Sequence, residues 1–374
     1  AFIMVEFLEV PYREILLAAT FPALLHYFGI FMMVHLEAKK LGLRGLNPDE
    51  MPKFFAVVKR HWMTIFPLFI VIYLIIVGRS PDYAAVWGIT ACVVVGFINP
   101  VDRLTPKRLL AALATGAKYA LAVGAAAASV GVIVGVVTLT GTGFRLSYMV
   151  TQAAMQLAEF VTNGWLGFFL SVQGLSLFLT LVFTAIACIL MGAGIPTTAT
   201  YIILVSIAAP ALAVLNIPPL VSHFFVFYYG VLADITPPVA LAAYAGAGIA
   251  GANPFKTGNT AFRMGIAKAL VPFVFVYSPS LLLVTPDFSL TEFFITLSGA
   301  MAGIGLLGAA FSGYALGMLR GYERWWLGVS ALFFVAPGLQ SMAIGAALAA
   351  PVFIMQIIRN RRSDALALNA GAPF

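Results

Sequence analysis

Between Glu159 and Lys256 the chain carries one charged side chain, Asp234. A stretch this long and apolar belongs in hydrocarbon, where unpaired backbone is costly and only helices or closed barrels can span. Barrel strands would alternate apolar and polar residues, and this stretch does not. Helices are therefore required, yet the sequence breaks them twice, at Met191-Gly-Ala-Gly-Ile-Pro-Thr-Thr-Ala-Thr200 and at Leu232-Ala-Asp-Ile-Thr-Pro-Pro238. Broken helices persist at membrane depth only where protein covers them or where they line a polar cavity. The two breaks read as the two walls of one site for a small solute and an ion.

Hydrophobic residues make up 62% of the 374 and charged residues 9%, far outside the soluble globular range. The expected fold class is all-α, a polytopic membrane protein with a re-entrant hairpin and broken helices. Cys92 and Cys188 lie inside apolar runs, which points to packing rather than to a disulfide or a thiolate metal site. The formal charge of +7 does not form a nucleic-acid patch, because the cations sit in the connections between apolar runs, where they set topology. The lipid bilayer is the expected partner and nucleic acid is not. Ala1 to Val10 is apolar with no basic segment ahead of it, so it reads as the inside of an element rather than as a signal peptide.

Spans are expected at about Ile15 to Leu36, Trp62 to Gly78, Ala84 to Ile98, Tyr119 to Leu139, Ala269 to Val284 and Phe293 to Gly317. Hairpins or paired spans are expected at Trp165 to Leu215 and at Trp325 to Ile358. Pro52 to Arg60 reads as an interfacial helix, and Asn99 to Lys118 as an amphipathic helix lying along the membrane before the chain turns in. Ser147 to Phe160 reads as a surface or half-inserted helix. Leu220 to Ala233 and Val239 to Ala252 are half-helices on either side of the second break. Alternating these spans puts all of the 21 Lys and Arg except Arg13, Arg79 and Arg145 on one face, which makes that face cytoplasmic. The distribution is the same whether the hairpins cross fully or return, and the uncharged tip from Gly192 to Pro196 favours a re-entrant one. Pro11-Tyr-Arg13 echoes Pro254-Phe-Lys256 on the opposite face, as an inverted repeat requires.

A hairpin tip exposes the last carbonyls of one half-helix and the first amides of the next. Carbonyls can coordinate Na⁺, and amides attract an anion. Gly192 and Gly194 allow close backbone approach, Pro196 suits the first turn of the outgoing helix, and Thr197, Thr198 and Thr200 add hydroxyls. In the second break Thr236 and the prolines repeat this logic, and Asp234 is an acid inside the membrane, a functional candidate by its cost alone. Na⁺ coordination fits Asp234 best. The structural alternative is a pair of kinks, with Asp234 capping a half-helix that begins near Pro237. His26 and His223 read as packing or interfacial residues. No metalloprotease, Cys-x-x-Cys, nucleophile-elbow or phosphate-binding Gly-Lys-Ser/Thr motif is present, so an enzyme is not expected.

Gly192-Ala-Gly-Ile-Pro-Thr-Thr-Ala-Thr-Tyr201, Phe227-Tyr-Tyr-Gly-Val-Leu-Ala-Asp-Ile-Thr-Pro-Pro-Val-Ala-Leu241 and Gly248-Ile-Ala-Gly-Ala-Asn-Pro-Phe-Lys-Thr-Gly258 together resemble the large membrane subunit of TRAP transporters, the DctM-like component. The likeness is closest to the fused type that works with TAXI-class periplasmic binding proteins, and it is most specific over Leu190 to Pro272. It implies an elevator-type, Na⁺-coupled importer of organic acids in a bacterial or archaeal cytoplasmic membrane, built from two inverted repeats. On that pattern 1–36 is the end of the first transport repeat and 37–140 an amphipathic linker with scaffold helices. The second repeat is 141–285, with its hairpin at 165–215 and broken helix at 220–252, and 286–374 adds C-terminal helices and a basic tail. The first repeat is then partial, and its hairpin would precede Ala1. The resemblance assigns Na⁺ to Gly192, Gly194, Asp234 and Thr236, and the substrate to Pro196, Thr197, Thr198, Thr200 and Thr236. Two other readings share the sequence physics: a Na⁺/dicarboxylate symporter that needs no binding protein, and a structural subunit of a membrane complex.

Overall fold

In a computed structural model, Pro and Gly punctuate the apolar runs into sixteen α-helices among the described residues, which are 2–369 except 44, 46, 48, 50, 101, 102, 169, 194, 196, 239 and 337. In chain order these are α1 (Phe2–Leu8), α2 (Tyr12–Lys40), α3 (Phe54–His61), α4 (Phe66–Ile76), α5 (Pro81–Ile98), α6 (Pro106–Thr140), α7 (Thr142–Thr162) and α8 (Val172–Gly192). They continue with α9 (Thr197–Ala213), α10 (Pro219–Leu232), α11 (Leu241–Ala250), α12 (Pro254–Gly265), α13 (Val271–Tyr277), α14 (Leu290–Ser312), α15 (Gly321–Phe333) and α16 (Leu339–Asn369). Seven stretches are long and apolar enough to cross a membrane, and α6 with α7 forms one further bent candidate. The protein is an all-α polytopic membrane protein.

Several boundaries differ from the sequence reading. The interfacial helix expected at Pro52 to Arg60 does not stand apart: α3 runs through a 3-10 turn at Trp62–Ile65 into α4, and Phe54–Ile76 forms one apolar length of 23 residues. The turn expected near Lys118 is absent, because α6 continues through it as one helix of 35 residues. The bend comes later, at Gly141, where φ is +65° and the axis swings by 69° into α7. The span expected from Ala269 to Val284 begins earlier, since α12 joins α13 through a 3-10 segment at Ile266–Leu270, and it ends at Tyr277. Periodicity cannot see that such joints keep the axis running, because a 3-10 turn breaks the 3.6-residue pattern without ending the helix. Cys188 is buried as expected, whereas Cys92 is exposed.

Internal contacts divide the chain into two units. One comprises Ala1–Leu17 and Arg44–Ile133, the other Ala18–Leu43 and Val134–Phe374. In the first, α4 packs on α5, and a Cβ at Gly88 would stand 2.5 Å from Val71 Cγ2. Small residues at such contacts are what membrane helices need, since lipid leaves only packing and hydrogen bonds to hold them together.

In the second unit α7, α8 and α9 pack on one another, and α10 lies against α8, α9 and α13. Its centre is aromatic: Phe224, Phe225 and Phe275 are fully buried, and the Phe225 ring lies 4.9 Å from Tyr229 and 5.8 Å from Phe273. The segment Ile266–Leu270 and α15 pack on α14, and α16 packs on α15. Glu323, 1% exposed, pins that end. It accepts from the Arg320 amide at 2.8 Å and pairs with Arg359 of α16 at 3.3 Å.

Candidate functional site

Both sequence breaks fall in the second unit, and they meet. The α8 helix ends at Gly192 and α9 starts at Thr197, while α10 ends at Leu232 and continues as a 3-10 turn, Ala233–Ile235. Thr197 donates its hydroxyl hydrogen to Asp234 Oδ2 across 3.2 Å, joining two segments 37 residues apart. Asp234 forms no ion pair among the described residues. It is a half-buried carboxylate whose hydrogen-bond partner among the described residues is a hydroxyl. The capping alternative is not the arrangement, because α11 begins only at Leu241, after the cis Pro237-Pro238 bond and an Ala240 with φ of +33°.

Glycine holds the meeting point close. A Cβ on Gly192 would stand 2.9 Å from both Ala233 Cβ and Thr200 Cγ2, and one on Gly230 would stand 3.2 Å from Thr200 Cγ2. Thr200 is thus wedged between α8 and α10. It is 2% exposed, and its hydroxyl donates to the Ile195 carbonyl at 3.0 Å. Thr236 donates to the Leu232 carbonyl at 2.9 Å, tying the second break to the end of its own helix. Thr198 alone of the three threonines that open α9 is exposed. Gly194 and Pro196, both expected in the site, lie outside the described residues.

Of the expected site residues, then, Thr197 and Asp234 meet, Gly192 packs on the neighbouring Ala233, Thr236 is tied to the end of its own helix, Thr198 faces outward and Thr200 turns into the packing. Two supports were not anticipated. Tyr244 of α11 donates to the Pro238 carbonyl at 2.5 Å, and Gly258 of α12 lets that ring lie close, 2.9 Å from where its Cβ would be. The other miss is Lys268. Read from sequence as a cytoplasmic connection residue, it lies buried within the Pro254–Tyr277 length, with Nζ 3.0 Å from Nε2 of His26.

The model of one protein family, the tripartite ATP-independent periplasmic transporter, DctM component, matches residues 1–289. The chain belongs to the DctM family. No curated protein and no solved structure matches it. As a DctM component the chain is a permease subunit of a TRAP-type secondary transporter, a family of transporter components rather than of enzymes. DctM proteins reside in the bacterial inner membrane and work with a periplasmic solute-binding protein and a small membrane subunit. The matched residues include both breaks and end just before α14, so α14 to α16 lie beyond the DctM match.

Proposed function

We propose that this DctM chain imports organic acids by Na⁺ symport, and that the junction of its two breaks holds both the ion and the acid. The observation that carries the reading is the Thr197–Asp234 contact, which brings a carboxylate that has no cationic partner among the described residues to the start of α9. An acid at membrane depth is stabilised by a cation. The donors around it are hard oxygens, as Na⁺ requires: Asp234, the Thr197 and Thr236 hydroxyls and the carbonyls that end α8. Gly192 and Gly194 would offer carbonyls to the ion. The α9 amides, with Pro196, Thr197 and Thr198, would face the carboxylate of the solute. Thr200 serves this site by packing rather than by contact with solute.

The resemblance of the motif-bearing segments extends the proposal to a TAXI-type binding protein, to inverted repeats and to an elevator movement. The test is uptake of labelled organic acids into proteoliposomes that hold the complete transporter, with an inward Na⁺ gradient, with and without the soluble binding protein. Uptake that needs both is expected. Na⁺-driven uptake without the binding protein would instead indicate an independent symporter, and uptake indifferent to Na⁺ would remove the ion from the mechanism.

A further inference from the structure

Lys268 occupies the 3-10 joint between α12 and α13 and is 7% exposed. Its Nζ lies 3.0 Å from His26 Nε2, and among the described residues neither group is ion-paired with an acid. The contact is built in by the backbone: a Cβ on Gly29 of α2 would stand 3.3 Å from Lys268 Cβ, so α2 lies directly against the joint. Beside the pair is a cavity of about 10 Å³, lined by His26, Tyr228, Tyr229, Leu232, Lys268 and Pro272 among others, which is room for about one water.

A hydrogen bond between two nitrogens needs one hydrogen and one lone pair. Either the ammonium donates to a neutral imidazole, or a neutral amine accepts from the imidazole N–H. With every site protonated, two donors and two positive charges face each other in a low-dielectric setting, and the contact cannot hold. The other titratable and charged groups facing the pair do not supply a counter-charge. Among the described residues they are Tyr27 of α2, whose ring lies 6.2 Å from that of His26, and Tyr228 and Tyr229 of α10, which line the same cavity. Tyr229 is already donating to the Ala269 carbonyl at 2.5 Å. Arg263 of α12 is paired with Glu37 of α2 at 2.7 Å, and α14 offers only Glu292, which accepts from Ser280 at 2.8 Å.

We propose that His26 and Lys268 form a buried proton-binding site in which the two bases share protons as one unit, so that gaining the last proton parts α2 from the Ile266–Leu270 joint. The cavity beside the pair has room for about one water to carry the proton to and from the two nitrogens. The event reaches the second break, because the Lys268 stem and Ile235, next to Asp234, both pack on Gly265.

The experiment follows the ¹⁵N-histidine resonances of the full chain in nanodiscs from pH 3 to 9, with His26 identified by the signal missing in His26→Gln. Two groups coupled this closely titrate together, so Lys268→Met is expected to move the His26 midpoint by about one pH unit or more. Lys268→Gln, which keeps a polar partner without charge, serves where Lys268→Met does not fold. A midpoint identical in wild type and variant would overturn the shared site. The readout needs no transport: a moved midpoint without solute uptake keeps the proton site and sinks the symport proposal, and an unmoved midpoint with Na⁺-driven uptake does the reverse.

Discussion

At the scale of single residues the junction separates chemistry from packing. Asp234 meets Thr197 through a hydrogen bond and asparagine keeps its shape, so Asp234→Asn should keep the fold and lose the proposed cation. Uptake that stays Na⁺-activated in Asp234→Asn would remove that assignment. Gly192 is the opposite case, because an added methyl would land 2.9 Å from Ala233 Cβ and Thr200 Cγ2. Forcing an extra carbon into such a contact typically costs about 1–3 kcal/mol, and Gly192→Ala should lower the thermal midpoint accordingly. Thr200→Val removes a hydroxyl that serves the Ile195 carbonyl, a bond worth about 1 kcal/mol. Its effect should appear in stability and not in solute preference.

Among the elements, the bend between α6 and α7 depends on one backbone angle. Gly141 has φ of +65° and nothing within 4 Å of where a Cβ would be, so Gly141→Ala tests conformation without clash. The left-handed setting costs an L-residue roughly 1–2 kcal/mol, and a loss of that size in chemical or thermal unfolding is expected. Helices and breaks were legible in the sequence because each leaves a composition mark: a long apolar run, a Gly-Pro tip, a Pro-Pro pair. The junctions were less so. Whether a polar stretch such as Asn99 to Lys118 turns aside or carries straight on depends on neighbours far along the chain, and α6 carries on. Thr197, Thr198 and Thr200 look alike in sequence, yet only the packing of α10 decides that one bonds Asp234, one faces out and one is wedged inside. Lys268 misled for a related reason, since a lone cation beside an amphipathic segment looks like a loop residue until α2, more than two hundred residues away, supplies His26.

For the molecule as a whole, the long-range polar contacts of the second unit hold distant parts of the chain together. Glu323 is buried and bonded to both the start of α15 and Arg359 of α16, and breaking a buried pair costs about 3–5 kcal/mol. Arg359 keeps a third of its exposure, so Glu323→Ala should fall near the lower end, about 3 kcal/mol, read as earlier thermal unfolding. The seating of Gly192, Thr200 and Gly230 at the junction has a consequence for how such proteins diverge. Each of the three is a neighbour's clearance, so a change at one is expected to need a matching change at another. Changes of cargo among descendants of this chain should therefore accumulate at outward positions such as Thr198, and a saturation library selected for growth on different acids would recover its winners there while the three stay as they are.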